Sequence, residues 1–359
     1  MGSFLRKKVA VVGTVGVPAC YGGFESLVQN LVDYQSKEID YQVFCSSKKY
    51  DKKLERYRTA ELIYLPVNAN GPSSILYDIL CLFVCLIKRP DVVLILGVSG
   101  CIFLPLYRLF SKSRVITNID GLEWRRNKWS PLAKWFLKKS EKLAVMYSEV
   151  VISDNQAIAE YVEKEYGRKS EVIAYGGDHA VTLDDEKVNN NNIAQKYFFA
   201  LCRIEPENNI DMILESFAVS GEYLKFMGNW NNSTYGLELK NKYGVFSNIE
   251  ILDPDYDISN LYILRKNCTA YIHGHSAGGT NPSLVEAMHF SIPVIAFDCS
   301  FNRYTTDNMA LYFSDSVSLQ NSVNELLQGY APNMGSNLKV YANEKYCWKN
   351  IAAFYERLF

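Results

Sequence analysis

Tyr271-Ile-His-Gly-His-Ser-Ala-Gly-Gly-Thr-Asn-Pro-Ser-Leu-Val-Glu-Ala-Met288, running on as His289-Phe-Ser-Ile-Pro-Val-Ile-Ala-Phe297, is the stretch whose reading decides the fold. It begins as a short apolar strand and passes into a loop of small residues at Gly278, Gly279, Thr280 and Asn281. Pro282 then opens a helix, and Pro293 precedes a second strand. Strand, loop, helix and strand in that order are the wiring of a ligand site at the carboxyl edge of a parallel sheet. Backbone N–H groups of the loop face an anion in such a site, and Glu286, about one turn into the helix, is placed to accept hydrogen bonds from sugar hydroxyls. An ordinary strand-to-helix turn with Glu286 at the surface reads the same residues equally simply. His273 and His275 at the strand end are expected to point one inward and one toward the ligand.

The same wiring recurs upstream. Val9-Ala-Val-Val12 is a buried first strand, followed by the long loop Gly13-Thr-Val-Gly-Val-Pro-Ala-Cys-Tyr-Gly-Gly23 and a helix from Phe24. The glycine spacing is not that of a dinucleotide fingerprint, and no Gly-Lys-Ser/Thr follows to make a Walker loop. Gly22 and Gly23 permit close approach of a substrate, or they serve a structural turn. A strand ending in Asn118 delivers Asp120-Gly-Leu-Glu-Trp-Arg-Arg-Asn-Lys-Trp129, where Asp120 and Glu123 present carboxylates to a hydroxylated ligand, or the loop is a salt-bridged surface. Tyr197-Phe-Phe-Ala-Leu201 leads into Cys202-Arg-Ile-Glu-Pro-Glu-Asn-Asn209 and a further helix. Arg203, at a strand's carboxyl end, matches phosphate geometry; the alternative is a surface salt bridge with Glu205 or Glu207.

A chain of 359 residues, 48% of them hydrophobic, suits two packed domains and excludes disorder. Its net charge of -1 argues against a general nucleic-acid binder. Nine scattered cysteines without a C-x-x-C pair read as reduced thiols, and the four histidines have no metal-ligand spacing. The basic start runs directly into the first strand rather than a signal peptide, so a cytoplasmic protein is expected. The apolar run Ser73–Ile87 falls short of the roughly twenty residues of a membrane span and reads as a buried or membrane-facing helix. From Arg125 to Lys142, seven basic residues and one acid alternate with Trp129, Leu132, Trp135, Phe136 and Leu137. Such a segment lies on an anionic membrane, or is an amphipathic domain helix with a solvated basic face.

Taken together, Gly13-Thr-Val-Gly-Val-Pro with Tyr21-Gly-Gly-Phe-Glu25, Asp120-Gly-Leu-Glu-Trp-Arg-Arg, Ala174-Tyr-Gly-Gly-Asp178, Arg203-Ile-Glu-Pro-Glu-Asn-Asn and Gly278-Gly-Thr-Asn-Pro-Ser-Leu-Val-Glu286 resemble a known family over the whole chain. They are similar to the retaining, nucleotide-sugar-dependent glycosyltransferases of GT-B type, family 4, and within them to bacterial capsule and exopolysaccharide rhamnosyltransferases. The resemblance implies an α/β fold of two Rossmann-like domains facing across a cleft. Residues 1–178 would bind the acceptor and residues 179–340 the nucleotide sugar, with residues 341–359 a helix crossing back to the first domain. It implies a donor such as dTDP-rhamnose, with UDP-glucose or another nucleotide sugar as the alternative, and a polyprenyl-diphosphate-linked saccharide as acceptor. It further implies a chain peripheral at the inner face of the cell membrane, with no cofactor besides the donor and no metal, and it leaves room for a homodimer.

The resemblance also implies roles. Arg203 and the amides of Gly279, Thr280 and Asn281 would stabilise the departing diphosphate while the acceptor hydroxyl enters on the same face. Glu286 would hold the nucleotide ribose, Asp120 and Glu123 would orient or partly deprotonate the acceptor hydroxyl, and Gly22 and Gly23 would shape the cleft floor. Two departures stand out. Gly278 occupies the place of the first of two family glutamates, which suits a deoxy sugar such as rhamnose or leaves the holding to backbone amides. Asn208 and Asn209 fill the positions of the family's lysine, so Asn209 enters the donor site in its place. Rival readings are a sugar-nucleotide epimerase or phosphorylase of the same double fold, and an inactive membrane-associated scaffold.

Overall fold

Val92-Val-Leu-Ile-Leu96 has no polar position on either face, and all five residues are buried. That pattern belongs to a parallel strand covered by helices on both sides. The computed structural model describes residues 6–20, 22–125, 129–181, 195–255 and 257–359. It divides into two units, Met1–Tyr175 with Trp348–Phe359, and Gly176–Cys347. Arg126 and Lys128 of the basic stretch, Tyr21 of the first glycine loop and the run 182–194 lie outside the described residues.

In the first unit the strands are β1 (Lys7–Val12), β2 (Ile39–Ser46), β3 (Arg56–Tyr57), β4 (Ala60–Leu65), β5 (Val92–Leu96), β6 (Arg114–Asn118), β7 (Val150–Ser153) and β8 (Glu171–Val172). They form one sheet in the order β3-β4-β2-β1-β5-β6-β7-β8, parallel except where β3 meets β4. Val11 pairs with Val43 on one side and Leu94 on the other, so β1 lies at the centre. The strand order reverses between β1 and β5, which places the loops after both at a topological switch point.

In the second unit β9 (Phe198–Leu201), β10 (Leu224–Met227), β11 (Ile249–Leu252), β12 (Tyr271–His273), β13 (Val294–Phe297) and β14 (Leu311–Phe313) form an all-parallel sheet in the order β11-β10-β9-β12-β13-β14. Here the reversal falls between β9 and β12. Aromatic residues fill one side of this sheet, with the Phe198 and Phe217 ring centroids 5.3 Å apart and those of Phe226 and Trp230 5.2 Å apart.

The apolar run near residue 80 becomes the helix Ser74–Lys88, with Tyr77, Asp78, Cys81, Leu82 and Cys85 turned inward. Together with the preceding turn, Gly71–Lys88 is 18 residues of mean hydropathy 1.6, long and apolar enough by composition to cross a membrane. Its inner face, however, packs against the protein's own sheet and holds Asp78, whose carboxylate accepts a hydrogen bond from Ser99 Oγ. Burial outweighs that bond and pushes the Asp78 carboxyl up to about 7.

The tail is two helices rather than one. Met334–Lys345 stays with the second unit, and Trp348–Leu358 belongs to the first. Trp348, Ile351, Ala352 and Tyr355 recur at helical spacing and are all buried. Trp348 meets Tyr175 edge-on at 6.5 Å, and Asn118 Nδ2 donates to the Tyr355 hydroxyl at 2.7 Å. Asn118 is the last residue of β6, so the terminal helix braces the strand that delivers Asp120. Replacing Tyr355 by Phe leaves a buried amide donor unsatisfied, and urea unfolding should show the first unit about 1–3 kcal/mol less stable.

Candidate functional site

The loops after β9 and β12, neighbours at the switch point of the second sheet, are fastened to each other. Asn209 sits at φ 51°, and its Nδ2 donates to Gly274 O at 2.8 Å. Ser276 donates to Glu207 O from its N–H at 3.0 Å and from its hydroxyl at 2.8 Å. A Cβ on Gly274 would lie 2.2 Å from Asn208 O, so the approach of the two loops requires glycine there. Asn208 Nδ2 in turn holds Arg203 O at 2.7 Å. Both asparagines therefore work as latches that set the backbone below Arg203. The Arg203 side chain is more than half exposed, and Glu205 lies 3.9 Å away, at the limit of an ion pair. Such an exposed pair holds the guanidinium weakly.

At the following loop the φ of Gly278 is +119°, and a Cβ placed there would meet nothing within 4 Å among the described residues. The room exists, but an L-residue would be strained in this backbone. Gly279 is half-buried and Thr280 buried. The Asn281 side chain accepts from Ser283 N at 3.2 Å and Ser283 Oγ at 2.9 Å, capping the helix Pro282–Met288.

Glu286, on that helix, is held from two sides. Arg265 Nη2 donates to its Oε2, and His179 Nε2 lies 3.3 Å from its Oε1. Burial alone would raise the carboxyl, but the Arg265 guanidinium and His179 outweigh it and keep the group below the ordinary carboxylate range. His179 comes from the turn Asp178–Val181 that ends the Ala174-Tyr-Gly-Gly-Asp178 motif. Arg265 closes the helix Ile258–Lys266. The motif was visible in the sequence and its partner was not, because Arg265 sits in a helix with no distinguishing pattern.

His273 and His275 do not diverge as expected. Positions two apart on an extended chain share a face, and the two rings stack 4.4 Å apart at 15°. His273 is fully buried and among the described residues neither ring nitrogen has a hydrogen-bond partner, so burial pushes its pKa down to about 3.

In the first unit, Asp120 follows β6 at φ 54°, with its N–H donating to Asn118 Oδ1 at 3.0 Å. Glu123 Oε1 accepts from Trp129 Nε1 at 3.0 Å. Trp124 Nε1 donates to Glu141 Oε2 at 3.0 Å, and the buried Glu141 also receives the hydroxyls of Tyr161 and Tyr166, each at 2.6 Å. The loop is thus pinned to the helix Pro131–Tyr147. Arg125 lies over the Trp124 ring at 5.2 Å. Gly22, in extended backbone, precedes the helix Gly23–Asp33 that Gly23 begins. The loop before it is braced by the buried Glu25, which accepts from Val15 N at 2.7 Å and Thr14 Oγ1 at 3.0 Å. Glu25 was quoted only as part of a motif, and its spacing from Thr14 gave no signal. Among the described residues no three His, Cys, Asp or Glu side chains gather to hold a metal ion.

Two family descriptions cover the chain in succession. Residues 6–178 match a domain of unknown function, DUF1972, and residues 182–342 match Glycosyl transferases group 1. Solved structures of similar architecture include sucrose-phosphate synthase from Thermosynechococcus elongatus, with 14% identity over 98% of each chain and a TM-score of 0.78. HepE of Anabaena in complex with UDP is 14% identical over 98% of each chain with a TM-score of 0.75. The catalytic domain of starch synthase IV from Arabidopsis thaliana, bound to ADP and acarbose, is 10% identical over 99% of this chain and 98% of its own, with a TM-score of 0.74. Among curated proteins no sequence matches the chain. With a group 1 glycosyl transferase domain and the two Rossmann-like domains of the GT-B fold, the chain is a glycosyltransferase.

The buried His273 gives this unit a pH dependence of definite sign. Its folded pKa lies below the ordinary histidine value near 6.5, so the unfolded chain binds the proton first. The neutral ring's contribution is intact above that value and is lost as pH falls toward about 3. Between pH 7 and pH 5, denaturant unfolding should show a loss of about 2 kcal/mol. A His273→Phe variant should flatten that slope.

Proposed function

We propose that the chain is a retaining glycosyltransferase of family 4. It moves a sugar, rhamnose from a donor such as dTDP-rhamnose, to a lipid-linked saccharide in capsule or exopolysaccharide synthesis. The supporting observation is the switch point of the second sheet, where Arg203 after β9 and the Gly278–Asn281 loop after β12 stand on backbones latched together, with Glu286 charged behind them. Ligands of open parallel sheets bind outside the carboxyl ends of the strands at such a point.

In this reading the leaving diphosphate develops negative charge against Arg203 and the amides of Gly279, Thr280 and Asn281, which need little reorganisation because the loops are already fixed. Glu286 keeps its charge and accepts from the nucleotide ribose while Arg265 and His179 hold it in place. Asp120 and Glu123 of the first unit orient the acceptor hydroxyl and take up part of its proton. Asn209 serves the donor site as a latch, and Gly22 and Gly23 contribute the small side of the acceptor loop. The enzyme uses no cofactor besides the donor and no metal. UDP-glucose is the second donor to test, because HepE of Anabaena, one of the similar structures, is described in complex with UDP-glucose.

Purified chain incubated with a panel of nucleotide sugars and a polyprenyl-diphosphate-linked saccharide tests the proposal. The parent should transfer from a dTDP-deoxy sugar, and Arg203→Ala should lower kcat by about 10²–10³. Transfer from no donor, or an undiminished Arg203→Ala, would overturn the function or the site respectively. Restoring the family carboxylate with Gly278→Glu should reduce donor affinity, because the residue is forced into a φ near +119°; isothermal titration with the nucleoside diphosphate measures this.

A further inference from the structure

The helix Pro131–Tyr147 has two faces of different chemistry. Leu137, Ser140, Glu141, Ala144 and Val145 are buried. Leu132, Trp135, Lys139, Lys142 and Met146, at steps of three and four, form one exposed stripe. Leu132 is 75% exposed and Trp135 65%. The short helix Leu104–Phe110 packs beside it, and Ser74–Lys88 packs beside that one. Both also carry exposed apolar side chains, Leu109 and Phe110 on the first and Phe83 and Ile87 on the second. A surface of this kind on three adjoining helices exceeds what single scattered apolar residues account for.

Charge says what covers it. A groove of about 570 Å³ along the outer helix is lined by Trp135 and Met146 together with Lys138, Lys139, Lys142 and Arg168. Lys138 is occupied by Glu165 at 2.9 Å and Glu141 at 3.6 Å, and Arg168 donates to the carbonyls of Val145, Ser148 and Glu149. Lys139 and Lys142 have no ion-pair or hydrogen-bond partner among the described residues. Glu165 also lines the groove, bound by Lys138 and within electrostatic reach of Lys142, so the four basic side chains outnumber one acid and leave a positive charge that is local in a chain whose net charge is -1. A second copy seated on this face by a twofold axis would bring two patches of the same positive charge into one interface. An anionic bilayer instead takes the apolar side chains below the headgroups while the lysines snorkel to the phosphates.

We propose that this three-helix face docks on an anionic lipid bilayer, with Lys139 and Lys142 at the lipid phosphates and Trp135, Leu132, Leu109 and Phe110 inserted. The inference deepens the reading above, from which it takes the lipid-linked acceptor. The helix whose outer face meets the lipid carries Glu141 on its inner face, and Glu141 holds Trp124 of the Asp120–Glu123 loop. Docking thereby fixes the acceptor loop relative to the surface that supplies a lipid-linked substrate.

Sedimentation of the full chain with vesicles of phosphatidylcholine and of phosphatidylcholine mixed equally with phosphatidylglycerol tests this without any transfer reaction. The parent should pellet with the mixed vesicles and far less with the neutral ones. Lys139→Gln combined with Lys142→Gln should weaken binding about twenty-five-fold, at about fivefold per lysine. Trp135→Ser should weaken it as well, and Arg203→Ala should bind as the parent does. A parent that stays in solution with both vesicles, or lysine and tryptophan variants that pellet equally with it, would overturn the docking face. A dimer seen by sedimentation velocity and dissolved by Trp135→Ser would assign the face to a second copy and overturn it too. Vesicle binding by a chain that transfers no sugar would leave the docking face standing and sink the proposed reaction alone.

Discussion

Parallel strands cannot be joined by a tight turn; each must return over a face of its sheet, and the return is right-handed. When successive crossovers build outward from a central strand in one direction and then in the other, the two loops at the point of reversal splay to opposite faces and leave a crevice. Both sheets of this chain are built so, around β1 and β5 in the first unit and β9 and β12 in the second. Most of the chemistry quoted from the sequence follows from that constraint. The glycine loop follows β1, Arg203 follows β9, and the Gly278–Glu286 stretch follows β12. Asp120 follows β6, one strand further out.

Three carboxylates, Glu25 and Glu141 buried and Glu286 partly buried, carry the second layer of the design. Glu25 braces the loop after β1 through Val15 N and Thr14 Oγ1. Glu141 gathers one indole N–H and two tyrosine hydroxyls and so pins the loop after β6. Glu286 is balanced by Arg265 and His179. A buried charge is tolerated only where several donors satisfy it, and removing one donor is costly because the remaining charge stays behind. The loops are therefore set before any ligand arrives, which is the condition under which amides and guanidinium groups stabilise a developing charge with little reorganisation.

The order of apolar strands and small-residue loops was legible in the sequence, because fully buried parallel strands such as Val92–Leu96 are uninterrupted apolar runs and their loops are marked by Gly, Asn and Pro. Glu286 and Arg203 stood out for the same reason, each one short step beyond such a run. What holds them did not. Arg265 lies 21 residues before Glu286 in a helix of ordinary composition, and the latch between Asn209 and Gly274 spans 65 residues. Pair contacts at such separations leave no periodic trace in a single chain. The break at Tyr346 and Cys347 leaves no mark in the sequence, because no Pro or Gly separates the two tail helices. The histidine pair shares one face because residues two apart on an extended chain do so, and the two rings stack there.

Gly278 shows why a departure from a family pattern must be read through the backbone as well as the side chain. Seen in the sequence, the residue is an absent carboxylate. Seen in the loop, its φ of +119° is a conformation that side chains disfavour, and the space beside it is open. Against the family 4 pattern that the sequence resembles, glycine here would change two things together: it would remove a hydrogen-bonding group, and it would let the loop take a path that presents the peptide groups of Gly279, Thr280 and Asn281 differently. In the proposed reading a sugar with fewer hydroxyls to satisfy would lose little by the first change, while a diphosphate would gain contact through the second. The lysine replaced by Asn208 and Asn209 fits the same logic, since their side chains fasten the loop backbones instead of supplying a charge. On the proposed reading, both places would trade a side-chain contact for backbone geometry, with Arg203, more than half exposed and only loosely paired with Glu205, as the guanidinium that would meet a phosphate.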